Sequence, residues 1–260
     1  MTRLPDRAGG GTGTGAGSGA GTGSGTGPGG AVRGTVGAAA SASASASAAA
    51  SSSEDGVPPD LLRRFTTAER WVHRASAALM GVAIVTAAFL YLPALAELVG
   101  RRRLLVIVHE WSGVLLPLPL LAGLASKAFR ADLDRLNRFA TYDWRWLSRA
   151  VRRVPGPRVS GKFNAGQKLY ASFMAGAVLV MLGTGIVMWF PYLTPLVWRT
   201  GSTFVHDWLA IFIGVLVIGH IGMAVRDPDA RRALRTGFAD RRWARREHPL
   251  WEKENPPPGE

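Results

Sequence analysis

Val205–Ile221 reads VHDWLAIFIGVLVIGHI. Its two histidines, His206 and His220, stand fourteen positions apart, and after Asp207 the residues between them are uncharged and mostly apolar. With its flanks the run is long enough to cross a ~30 Å hydrocarbon core as a helix. An imidazole has little to gain there unless something inside uses its nitrogen. In a helix, fourteen residues rise ~21 Å and fall ~40° short of four full turns, so both imidazoles share one face near opposite membrane surfaces.

Three more stretches have the same character. Ala75–Ala96 and Leu169–Trp198 are uncharged, and Leu104–Ser126 holds only His109 and Glu110 as ionisable groups. The expected fold class is therefore an all-α membrane protein, a bundle of four transmembrane helices with a disordered N-terminal tail. The spans fall at about 67–97, 104–128, 166–191 and 203–226 within a domain 60–226, and 227–260 reads as a cytoplasmic tail. Residues 1–59 contain GGGTGTGAGSGAGTGSGTGPGG and SASASASAAASSS, which cannot bury enough apolar surface to offset their ordering entropy. That tail has no apolar core of signal-peptide type, and Arg3 and Arg7 are not adjacent as in a twin-arginine signal.

Composition narrows the chemistry. There is no cysteine, which excludes disulfides, thiolate zinc sites and cysteine-ligated iron–sulfur clusters. A net charge of +13 and a pI near 11.3 invite a nucleic-acid reading. The basic residues flank apolar runs instead of forming one stripe, so the expected partner is a lipid bilayer and no nucleic acid. Arg63, Arg64, Arg70 and Arg74 precede the uncharged run of the first span, eleven Lys/Arg fill 127–168, and nine follow Val225. The other side has Arg101, Arg102, Arg103 and Arg199. The positive-inside rule then puts both termini and the 127–168 connection in the cytoplasm, in a multi-pass protein of the inner (plasma) membrane. Trp111, Trp189, Trp198 and Trp208 form an aromatic belt on the outer side.

Four of the five histidines lie in or beside the spans. Thr66 and Glu69 have capping-box spacing, which starts the first helix near Thr66. His73 then sits ~10 Å along it, close to the ~9 Å depth of His220. His109 is six residues in from Arg103, and His206 seven in from Arg199. Two level pairs result, His73 with His220 inside and His109 with His206 outside. A bis-histidine pair across helices grips a b-type haem at both axial positions, so two haem b groups are expected. Arg70 and Arg74 could meet haem propionates, and Gly113, Gly123, Gly183, Gly185, Gly214, Gly219 and Gly222 could admit a flat group close to a helix. A proton relay would want carboxylates at membrane depth, and only Glu110 and Asp207 qualify, which leaves a haem-free anchor or transporter the weaker reading.

With these residues in view, the chain resembles the cytochrome b (gamma) subunit of respiratory formate dehydrogenases, within the wider four-helix di-haem b cytochromes. The matching segments are RFTTAERWVHR (Arg64–Arg74), HEWSG (His109–Gly113), GKFNAGQK (Gly161–Lys168) and HDW…GH (His206–His220), over about 60–250. The resemblance implies His73/His220 as ligands of the inner haem and His109/His206 of the outer. It implies a quinone site at the cytoplasmic face formed with Asn164, Gly166 and Gln167, and menaquinone as acceptor. It implies as partners an iron–sulfur (beta) subunit and a molybdenum- or tungsten-containing formate-oxidising (alpha) subunit. The equivalent subunit of a nickel–iron hydrogenase or thiosulfate reductase is the alternative. The plain reading of Asn164 and Gln167 is a helix start, an N-cap with Gln three residues on.

The remaining expectations are structural. Pro117, Pro119 and Pro191 kink or end helices. Tyr142–Val154 (YDWRWLSRAVRRV) reads as a helix, interfacial or solvated. His248 reads as a solvated residue of the tail, and ADRRWARRE (Ala239–Glu247) as a solvated or headgroup-facing cluster.

Overall fold

The computed structural model describes residues 15, 58–156 and 158–257; nearly all of the expected 1–59 tail lies outside the described residues. Four helices there are long and apolar enough to cross a membrane.

The first, α1 (Thr67–Tyr91), begins where the capping box predicts. The Thr66 N–H donates to a Glu69 carboxylate oxygen at 2.6 Å, and the Glu69 N–H donates back to Thr66 Oγ1. It stops at Leu92, whose extended backbone is the conformation that Pro93 imposes on its predecessor. A short α2 (Pro93–Val99) closes on Gly100 in the left-handed region, φ 65°. The second span bends at its prolines into α3 (Arg102–Leu115) and α4 (Leu118–Gly123). The connection forms α5 (Lys127–Asn137) and α6 (Thr141–Val151). The third span is α7 (Ala165–Trp189), ended ahead of Pro191. The fourth, α8 (Leu196–Arg226), starts seven residues earlier than the charge pattern predicts. Its 31 residues make ~46 Å of helix, more than the ~30 Å core requires.

The spans pack as two hairpins, α1 against α3–α4 and α7 against α8. Few of their side chains are buried, Val72, Thr86, Ser112, Ala177 and Ile213 among them, whereas Leu179, Val215 and Ile218 are exposed. Apolar residues facing outward are what a hydrocarbon solvent calls for, since lipid gives no drive to hide them.

A polar layer covers the end of the bundle where α1 begins and α8 ends. Strands β1 (Leu61–Arg63) and β2 (Phe238–Asp240) pair antiparallel, with Leu62 opposite Ala239. Around them lie α9 (Pro228–Thr236), α10 (Arg241–Glu247) and α11 (Pro249–Lys253). Leu62, Ala233, Ala239, Trp243, Ala244 and Trp251 form its core. Within the expected 227–260 tail, residues 228–253 form a folded cap. Gly237, at φ 95°, allows the α9-to-β2 turn; its carbonyl accepts from the Arg64 and Phe65 N–H groups.

One expectation fails here, and another holds only for Arg242, Arg245, Arg246 and Glu247, which are exposed. His248 is 2% exposed, not solvated. It lies between Trp243 (ring centroids 4.9 Å) and Trp251 (6.5 Å). In Ala239–Glu247, Ala239, Arg241, Trp243 and Ala244 are buried as well. Basic composition hid an aromatic core with one tryptophan in each of α10 and α11.

Candidate functional site: two histidine pairs

The four span histidines meet across the gap between the hairpins. His73 on α1 faces His220 on α8 with ring centroids 6.3 Å apart. His109 on α3 faces His206 on α8 at 6.2 Å. Two imidazoles held on opposite sides of one metal, with bonds of about 2.0 Å and ~1.15 Å from nitrogen to ring centre, would have centroids ~6.3 Å apart, against ~5 Å at a tetrahedral angle. Both pairs match that spacing. Among the described residues no three His, Cys, Asp or Glu side chains converge into a metal cluster. Pairs suit a metal whose other ligands come from a flat macrocycle, as in haem. Gly113, Gly183, Gly214, Gly219 and Gly222 have open space where a side chain would stand. Gly123 does not: a Cβ there would lie 2.8 Å from Val72 and 2.9 Å from Phe129, so it serves helix packing and admits no flat group.

The two pairs are held differently. His109 Nδ1 is 3.1 Å from the Ala83 carbonyl and 3.1 Å from Thr86 Oγ1. A carbonyl only accepts, and the Thr86 hydroxyl spends its proton on the Val82 carbonyl at 2.7 Å. Nδ1 therefore carries the proton, and Nε2 keeps the lone pair a metal needs. His206 repeats the device: Nδ1 is 2.9 Å from Thr184 Oγ1, which donates to the Val180 carbonyl at 2.8 Å. At the capped end, by contrast, His220 stacks on Tyr170, centroids 4.8 Å apart and planes 9° apart.

The groups around the capped end are mostly paired. Arg70 and Arg74 both donate to the Arg235 carbonyl, at 2.7 and 3.2 Å. Lys162 bridges Glu69 (3.4 Å) and Asp132 (2.5 Å), all nearly buried. Burial, and then a hydrogen bond that the protonated Asp132 carboxyl donates to Glu69, push Asp132 up to about 6 against the pull of Lys162. Lys168 and Asp143 form a buried pair at 2.7 Å, tying α7 to α6. Burial lowers the Arg64 guanidinium to about 10, opposed by Asp227 and Asp132, so it remains charged. Arg64 donates to the Lys162 carbonyl at 3.0 Å and lies over Trp243 at 4.6 Å.

Asn164 and Gln167 form a reciprocal capping box at the start of α7, with bonds of 2.9 and 3.0 Å. At Gly166 a Cβ would lie 3.2 Å from Trp146. Glu110 is partly covered, and Asp207 lines a lateral groove with Tyr91, Arg199 and Trp208.

Sequence reasoning missed Thr86, Thr184 and Tyr170. The signal for the threonines was present: each is a hydroxyl in an apolar span, 23 and 22 residues before its histidine.

Comparison with known proteins fits this geometry. The profile of the prokaryotic cytochrome b561 family matches residues 64–236. The nitrate-inducible cytochrome b556(Fdn) subunit of formate dehydrogenase from Escherichia coli K12 is 31% identical over 97 residues, 36% of this chain and 45% of that protein. That stretch spans less than half of the relative's length. The formate dehydrogenase cytochrome b556 subunit of Haemophilus influenzae is 26% identical over 62% of this chain and 68% of its own. The E. coli K12 cytochrome b556(fdo) subunit is 25% identical over 75% of this chain and 93% of its own. Four apolar spans, histidines paired at metal-bridging distance and a profile covering most of the described residues agree: the chain belongs to the prokaryotic cytochrome b561 family, membrane cytochromes that bind haem b.

Proposed function

We propose that the chain is the membrane-embedded di-haem cytochrome b subunit of a formate dehydrogenase complex. It would pass electrons from an iron–sulfur subunit, fed by a molybdenum- or tungsten-containing formate-oxidising subunit, to menaquinone at the cytoplasmic side. The observation carrying this reading is the pair of imidazole couples, 6.3 and 6.2 Å between ring centres, strung along one helix. The relatives' names support the choice of complex.

Haem supplies a one-electron iron couple that four side chains would grip: His73 and His220 inside, His109 and His206 outside. Helix α8 contributes to both positions, so its rigidity fixes their ~21 Å separation along the axis. Charge passing inward while protons for quinone reduction come from the cytoplasm makes the transfer electrogenic, about 2.3 kcal/mol per charge across 100 mV. The excess of Lys/Arg on the capped side supports its assignment to the cytoplasm.

The quinone contacts assigned to this end are Asn164, Gly166 and Gln167. Asn164 and Gln167 use one oxygen each in the helix cap, and each amide NH2 keeps donors for a quinone carbonyl. Lys162 and Lys168, each buried against a carboxylate, hold the backbone on either side of them.

Purification of the complex from membranes tests the assignment. Formate should reduce the chain's b-type absorbance, and a menaquinone analogue should reoxidise it. Co-purification with hydrogenase subunits, and reduction by hydrogen alone, would overturn the assignment of the donor.

A further inference from the structure

The outer histidine pair differs from the inner pair in its attachment, and the difference is built twice. In each hairpin a threonine donates its hydroxyl proton back to its own helix and presents a lone pair of the hydroxyl oxygen to a histidine Nδ1 on the neighbouring helix. Thr86 on α1 does this for His109 on α3, and Thr184 on α7 for His206 on α8. Back-bonded threonines are common in membrane helices and need no further role. Two of them at matching places, each 3.1 Å or closer to one of two facing imidazoles, form a set. His73 and His220 have no protein hydrogen-bond partner on a ring nitrogen among the described residues; His220 has a stacked tyrosine instead.

We infer that Thr86 and Thr184 are positioning residues that set the outer histidine pair apart from the inner one. They hold both outer imidazoles with Nε2 toward the metal and make them the stronger electron donors. The inference rests on the haem assignment above. An Nδ1–H donated to oxygen raises the basicity of the ligand, and a more basic axial ligand favours the oxidised iron. Hydrogen bonding to the ligands is one of the levers that set haem potential. The outer centre is therefore the lower in potential, and electrons arriving there run downhill to the inner one.

The test uses the whole complex with Thr86→Val and Thr184→Val, which keep shape and remove the hydroxyl acceptor; at His109 the Ala83 carbonyl stays 3.1 Å from Nδ1, so the Thr86 shift should be the smaller of the two. Haem content is measured first, then potentials are read by optical titration, with the low-spin electron paramagnetic resonance signal as second readout. The component surviving in His73→Ala is assigned as the outer one. Each valine variant should shift that component's reduction equilibrium three- to tenfold toward the reduced form, tenfold being ~59 mV for one electron. The other component should stay in place, and Thr86→Ser and Thr184→Ser should restore the wild-type value. If a valine variant fails to assemble, the alanine variant is held to the same criterion. Normal haem content with unmoved outer potentials overturns the role of the threonines. A wild-type complex without b-type absorbance defeats the haem reading itself, a distinguishable result.

Discussion

Acidification should loosen the cap, and His248 sets the size of the effect. Its Nδ1–H donates to the Gly161 carbonyl at 2.7 Å, which leaves Nε2 to accept from Arg64 at 3.1 Å. Protonation would bury a second cation against Arg64 and destroy that acceptor. Burial, followed by the Arg64 charge, lowers the imidazole from 6.5 to about 3. The folded pKa is depressed, so the contribution is complete above ~6.5 and is lost as pH falls from there toward 3. At pH 5.5 the open form gains a factor of about 1 + 10^(6.5−5.5), or ~11, about 1.4 kcal/mol. Asp132, raised to about 6, works in the opposite sense between 3.8 and 6, so a global melting curve would mix the two. Hydrogen exchange of the α10–α11 peptide isolates the histidine, because the Leu250 N–H is held by the Ser160 carbonyl and the Glu252 N–H by the His248 carbonyl. After correction for intrinsic rates, protection there should fall about tenfold between pH 7.5 and 5.5. In His248→Gln, which has no proton to gain, the fall should vanish. Equal protection at both pH values, or the same fall in the variant, would refute the reasoning.

Other consequences are local. Lys168→Met strands Asp143, which is 0% exposed; breaking that buried pair should cost ~3–5 kcal/mol, while Lys168→Met with Asp143→Leu should recover much of it. Thermal unfolding in detergent measures both. Gly123→Ala pushes a methyl to within 2.8 Å of Val72 and should cost ~1–3 kcal/mol without altering haem content, since the clash is between α4, α1 and α5. Asn164→Ala should cost ~1 kcal/mol of stability through the lost cap. Asn164→Asp keeps the cap oxygen but loses the amide, so it should hold stability while raising KM for a menaquinone analogue. An unchanged KM would remove Asn164 from the quinone site.

Much of the bundle was legible because lipid demands a one-sided code. Apolar runs near twenty residues, a capping box at Thr66 and arginines near span ends mark the helices with little help from packing, though α8 starts seven residues ahead of the charge pattern. Depth was also enough to pair the histidines, since rise per residue is the same in every helix. The cap was not legible for the opposite reason. Its core is made of single tryptophans, Trp243 and Trp251, in arginine-rich segments, and long-range partners hold it: Arg64 reaches His248 across 184 positions. Local composition reports solvent exposure there and misses the contact. The threonines lay between these cases. Their spacing was visible, but only the interhelical geometry shows which nitrogen each one faces.

The central claim is tested most directly by the haem-to-protein ratio and the reduced-minus-oxidised spectrum of the purified chain and its histidine variants. Two b-type haems per chain are expected, with one lost in His73→Ala or His220→Ala and the other in His109→Ala or His206→Ala. The absence of b-type absorbance, or full haem content in His220→Ala, would contradict the account.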